Sequence, residues 1–195
     1  MTGSTSPLLN ARPGSAGRLA RLFEALRFAS EKHRDGRRKG PIAAPYINHP
    51  IVVAEQLASA GFEDDPDLLI AALLHDVVED TDTTAEDLRE RFGPRVAGIV
   101  LELTDDKSLD WRERKRLVVE RIGSRSREAR LIKLSDLTAN VFDLIHHPPN
   151  WQNERKQGYL RWAELVAEAM RGVEPGMERR FQELLREARR QVGAG

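Results

Sequence analysis

The segment Ala71–Thr81 reads AALLHDVVEDT, an apolar run that ends in four ionisable side chains, His75, Asp76, Glu79 and Asp80. Charged residues are almost never buried without a partner, so a core-like stretch that carries this many has a task. On a helix, Glu79 lies four residues after His75 and Asp80 four after Asp76, which sets both pairs along adjacent lines of one face. Side by side, His75 and Asp76 offer a nitrogen and an oxygen to one divalent ion. Glu79 and Asp80, one turn later, reach its bound water.

Three further segments carry chemistry. In Pro45-Tyr46-Ile47-Asn48-His49-Pro50, a histidine stands at the start of a helix; it reads as a metal ligand or as a capping or core histidine. In Leu131–Asn140, Asp136 sits between Leu134 and Leu137, with Asn140 one turn on. A carboxylate among apolar residues needs a partner, because burying it free costs several kcal/mol or shifts its pKa. A metal is one such partner, and Lys133 or an arginine is another. Arg37-Arg38-Lys39 precedes the His49 loop, either as surface charge or as a site for anions.

The elements that must hold these groups are helices. Leu19, Leu22, Phe23, Leu26 and Ala29 recur at helical spacing and predict a first helix ending near Asp35-Gly36; residues 37–44 read as a basic loop broken by Gly and Pro. Further helices are expected at about 49–60, 67–80, 84–92, 94–104, 110–122, 126–146, 151–171 and 175–191. Pro66, Pro94 and Thr83/Thr84 ahead of Glu86 and Asp87 mark starts. His146-His147-Pro148-Pro149 reads as a helix-ending loop. No stretch alternates cleanly between apolar and polar, so no substantial sheet is expected.

Composition narrows the class. The 195 residues are 40% apolar and 32% charged, enough for one globular domain that needs no staple. The chain has no cysteine, which excludes disulfide frameworks, thiolate zinc sites, iron–sulfur clusters and cysteine nucleophiles. Its 31 basic and 31 acidic residues cancel, against a nucleic-acid polymer as partner. Leu68–Leu74 falls far below the roughly 20 residues that span a bilayer, so no membrane association is expected. Residues 1–17 lack a continuous apolar stretch and read as a flexible tail rather than a signal peptide, which places the protein in the cytoplasm. Residues 18–191 form the domain and 192–195 a disordered end.

The charges are unevenly placed. Residues 62–90 hold eleven acids against Arg89, and residues 111–130 hold eight bases against three acids. Each run alone reads as a solvated helix face. Together they suit a cation and a polyanionic small molecule bound side by side.

Lys32-His33, Arg38-Lys39-Gly40, the PYINHP segment, Ala71–Thr81, Phe92-Gly93, Leu103–Lys107 and Lys133–Asp136 occur in the order and spacing of one family. Over residues 18–185 the chain resembles the HD-superfamily hydrolase domain of Rel/SpoT enzymes, above all the stand-alone small alarmone hydrolases. The resemblance implies an all-α HD-domain bundle of about eight to ten helices and one Mn2+ per chain, held by His49, His75, Asp76 and Asp136. It assigns Glu79 and Asp80 to water activation, Arg38 and Lys39 to substrate, Asn140 to sugar or phosphate, and Tyr159 to the base. The implied reaction removes the 3′-pyrophosphate of guanosine tetra- or pentaphosphate, giving GDP or GTP and pyrophosphate; water attacks the 3′-phosphorus in line.

Two imidazoles, two carboxylates and no thiolate agree with manganese. The same chemistry would serve another nucleotide, such as an adenosine alarmone or NADPH, while a non-catalytic nucleotide-binding module is the reading from a different class. The chain departs from the family at Phe142, where many relatives carry a base, and at Ala139, where a bulkier His or Tyr is common. Little follows Tyr159–Met170 beyond one helix, so the resemblance implies degradation of alarmones without their synthesis.

Overall fold

The computed structural model describes residues 15–193; residues 1–14 and 194–195, where much of the expected tails falls, lie outside it. Among the described residues there are ten α-helical segments and no strand, as the sequence predicts. The helices reach into both expected tails, since α1 (Ser15–Lys32) already starts at Ser15 and the last helix runs to Gly193. Among the described residues, no helix is long and apolar enough to cross a membrane.

A loop leads from α1 to α2 (Asn48–Leu57), which is followed by one widened turn over Ala58–Phe62 that contains Gly61 at φ 94°, the left-handed conformation that glycine adopts without cost. Then α3 (Pro66–Leu74) starts on Pro66, with the Asp65 carboxylate accepting from the Leu68 N–H. Every residue from Leu68 to Leu74 is buried, the mark of a helix enclosed on all sides. It packs against α1, α2 and α6 (Pro94–Leu103).

A single helix over 67–80 is not what forms. The chain leaves the helix at His75-Asp76 and resumes as one turn, α4 (Val77–Asp80). Asp76 takes φ −101° and ψ −5°, and its carboxylate turns to the side chains of His75 and Tyr46. Short polar side chains that find local partners compete with helix continuation. The apolar pattern runs on through Val77, so periodicity does not register the break.

The remaining helices follow the expected signals. Thr84 caps α5 (Ala85–Phe92) in a reciprocal box with Asp87, and Asp110 caps α7 (Trp111–Arg121) through the N–H groups of Arg112 and Glu113. Ser126 caps α8 (Arg127–His146). The long α8 lies across the bundle against α2, α6, α9 (Asn153–Ala169) and α10 (Pro175–Gly193). α3 and α8 thus form the interior, and both carry candidate ligands.

The loop between α1 and α2 is folded on itself. The Arg38 N–H donates to the Ala44 carbonyl at 2.9 Å and the Tyr46 N–H to the Gly36 carbonyl at 3.0 Å. A Cβ on Gly36 would lie 2.9 Å from the Tyr46 Cβ, so no larger residue fits there.

The Thr84 box is exposed and closes on Asp87 alone. Thr84→Ala is expected to lower stability by about 1 kcal/mol, the usual worth of an N-cap, in urea unfolding, with turnover unchanged.

Candidate metal centre and substrate cleft

Three elements converge on one point. His49 comes from the first turn of α2, His75 from the end of α3 and Asp136 from the middle of α8; all three are buried, and one potential ligand atom from each lies within 4.8 Å of the others. Asp76 completes the group, its Oδ2 3.0 Å from His75 Nε2 and 4.0 Å from His49 Nε2. His49 Nε2 is 3.1 Å from Asp136 Oδ1. The four residues that the resemblance assigns to the metal are therefore together.

The donor atoms are those of a cation site. His75 Nδ1 lies 2.7 Å from the Ala72 carbonyl; donating there fixes the tautomer and leaves Nε2 as a lone pair. That Nε2 is buried without a hydrogen-bond partner, and it faces the Asp76 carboxylate. Two electron pairs at this distance call for a proton or a metal ion between them. Burial pulls the His75 pKa down, but the Asp76 and Asp136 charges outweigh it and hold it up at about 9. Burial likewise opposes ionisation of both carboxylates, yet His75 and His49 keep Asp76, and Lys133 and His49 keep Asp136, well below the usual range. The pocket is poised for positive charge.

Lys133 Nζ donates to Asp136 Oδ2 at 3.0 Å, so the lysine partner leaves Oδ1 on the side of the candidate metal cluster. Asn140 Nδ2 donates to Asp136 Oδ1 at 2.5 Å, and its Oδ1 accepts from Arg38 Nη2 at 2.6 Å. Arg38 is also clamped by Asp143 through Nε (3.0 Å) and Nη2 (2.7 Å). The expected substrate residues Arg38 and Asn140 are thus wired to a ligand. The Tyr46 hydroxyl donates to Asp76 Oδ2, and burial with the Asp76 charge raises its pKa.

Glu79 is half-buried, accepts from the Asp105 N–H at 3.3 Å and lies 3.8 Å from Arg114 Nη1. Burial and the Asp105 charge raise its pKa. Asp80 forms an ion pair with Lys107 at 2.8 Å and lies on the border of the neighbouring cleft. Beyond it opens a cleft of about 440 Å³, lined by Arg37, Arg38, Lys39, Asn140, Trp151 and Tyr159 among others. Lys39 lies 6.0 Å from the Trp151 ring and Arg155 4.4 Å from it. Tyr159 is flanked by Trp151 and Trp162 at 6.1 and 5.7 Å between ring centres, so it borders the cleft as part of an aromatic wall.

Sequence reasoning missed Tyr46, Lys107, Asp143, Trp151 and Arg155 as neighbours of the site. Tyr46 lay inside a motif already singled out. Lys107 likewise lay within Leu103–Lys107, while Asp143, Trp151 and Arg155 meet the site only through chain folding.

The HD domain family model matches residues 25–168. A guanosine-3′,5′-bis(diphosphate) 3′-pyrophosphohydrolase of Drosophila melanogaster is 45% identical over 169 residues, 86% of this chain and 94% of that protein. The protein of that name from Homo sapiens is 44% identical over 169 residues, again 86% of this chain and 94% of its own. Among solved structures, a metazoan ortholog of SpoT described as hydrolysing ppGpp matches with a TM-score of 0.83 at 43% identity, covering 91% of this chain and 97% of that one. Likeness of this extent takes in α1 to α10 rather than one motif, and the chain belongs to the HD domain family.

Proposed function

We propose that the chain hydrolyses the 3′-pyrophosphate of guanosine alarmones, (p)ppGpp and water giving GDP or GTP and pyrophosphate, with one Mn2+ held by His49, His75, Asp76 and Asp136. The buried two-imidazole, two-carboxylate cluster beside a cation-lined cleft carries the reading, together with relatives named for this reaction. Two nitrogens and two carboxylate oxygens without a thiolate suit Mn2+. When bound, the ion supplies Lewis acidity and lowers the pKa of water.

The protein's own groups do the rest. Glu79, with its raised pKa, takes the proton from the attacking water. Arg38 spends Nε and Nη2 on Asp143 and Asn140, which leaves Nη1 for a phosphate oxygen in a fixed direction. Lys39, exposed at the cleft, offsets further phosphate charge. Asn140 links the phosphate-binding side to Asp136, and Tyr159 with Trp151 forms the wall against which the nucleoside lies.

His75→Ala or Asp136→Ala is expected to abolish both Mn2+ binding and pyrophosphate release while the helical circular-dichroism spectrum persists. Turnover by either variant at wild-type metal content overturns the ligand assignment.

Glu79→Gln keeps the volume and removes the proton acceptor, so kcat is expected to fall by roughly 10²- to 10⁴-fold with Mn2+ still bound. A base is active only when deprotonated, and this one has a raised pKa. Wild-type kcat therefore declines as pH drops through that raised value, and the variant's profile loses this limb. Unchanged kcat in Glu79→Gln transfers the role to Asp80.

Lys39→Ala is expected to lower kcat/KM by roughly 10- to 100-fold, the worth of one charge-assisted hydrogen bond. Steady-state rates with the tetraphosphate at saturating Mn2+ measure it.

A further inference from the structure

We infer that Tyr46 is a positioning residue of the metal centre: its hydroxyl, with His33 packed against the ring, aims the Asp76 carboxylate at the ion. The inference rests on the metal reading above.

Asp76 needs such a device. It lies at the interruption between α3 and α4, where the backbone does not fix its side chain as a continuous helix would. Its Oδ2 receives the Tyr46 hydroxyl and faces His75 Nε2 at 3.0 Å and His49 Nε2 at 4.0 Å. A carboxylate oxygen has two lone-pair directions. The phenol takes one, which leaves the other, with Oδ1, for an ion between the imidazoles.

Tyr46 is itself held through its backbone and one face of its ring. Its N–H donates to the Gly36 carbonyl at 3.0 Å, and its own carbonyl accepts the His49 N–H at 2.9 Å, so the hydroxyl and a second ligand move as one unit. Its ring centre is 4.7 Å from that of His33 and 5.9 Å, edge-on, from that of His49. Gly36 sits against its Cβ with no space for a side chain.

His33 has no role in the reaction derived above. It is 6% exposed, and its Nε2 is buried without a hydrogen-bond partner, an arrangement that costs free energy. What the ring does instead is pack on Tyr46.

Partners that orient a ligand from outside the coordination sphere typically change metal affinity by 10- to 100-fold. Calorimetric Mn2+ titration of the metal-free full chain, combined with steady-state kinetics, tests the inference. Tyr46→Phe retains the ring and deletes only the hydroxyl. Its Mn2+ Kd is expected to rise by roughly 10- to 100-fold and its kcat to fall. KM for the nucleotide at saturating Mn2+ and the helical circular-dichroism spectrum of the metal-free protein are expected to stay at wild-type values, which a general loss of packing would not allow.

His33→Ala is expected to weaken Mn2+ binding less, and to add nothing in the Tyr46→Phe background, since it acts through the hydroxyl. Wild-type Mn2+ affinity in Tyr46→Phe overturns the inference, and strictly additive losses in the double variant overturn the part given to His33. A wild-type chain that binds no divalent ion overturns the metal reading itself, a separate and recognisable outcome.

Discussion

A carboxylate buried halfway along a core helix must be matched by positive charge, and Asp136 imposes that demand on everything around it. It is 8% exposed among leucines, where an unpaired ion would cost several kcal/mol. Lys133 meets one oxygen at 3.0 Å, and His49 and Asn140 meet the other at 3.1 and 2.5 Å. Partly satisfied polar networks in a core are worse than none, so the network extends outward until it reaches solvent, through Asn140 to Arg38 and Asp143. The same chain of contacts that stabilises Asp136 fixes the cation nearest the cleft. Stabilisation of Asp136 and orientation of Arg38 are one arrangement.

The interruption of the helix at His75-Asp76 serves the same centre from the other side. Were α3 to continue, His75 and Asp76 would project in directions about 100° apart. Leaving the helix turns the Asp76 carboxylate back to within 3.0 Å of His75 Nε2. The lost helical bonds are confined to one junction, because the Asp80 N–H again reaches the Asp76 carbonyl at 2.8 Å. Leu68–Leu74, buried on all sides, anchor the segment against any slip.

Charge in the cleft is set by which side chains are already engaged. In the basic run at 111–130, Arg116 is bound by Glu113 and Glu120 on its own helix, and Arg114 approaches Glu79. Lys115 lies 4.0 Å from the Trp162 ring, where burial and the Arg155 charge lower its pKa to about 8. In the acidic run at 62–90, Asp65 is bound by Arg95, Asp67 by Arg21 and Glu86 by Arg89. Asp76, Glu79 and Asp80 are the acids of that run that turn to the centre or the cleft. A count of charges along the chain suggests two large opposing surfaces; in the acidic run most of those ions are spent on neighbours.

The sequence by itself determined most of the helices and the side-chain types of the candidate ligands. Apolar spacing and local caps are short-range physics, legible at Pro66, Thr84 and Pro94 because the groups that start a helix are adjacent in the chain. His75, Asp76 and Asp136 stood out as ionisable groups in an apolar setting, and the family resemblance joined His49 to them. Tertiary structure alone decided how these groups meet. Tyr46 reaches Asp76 across 30 residues and Arg38 reaches Asp143 across 105, and no periodicity encodes such pairings. The break at His75-Asp76 was hidden for the same reason: the partners that reward leaving the helix lie on α2, α8 and the loop before them, brought there by packing.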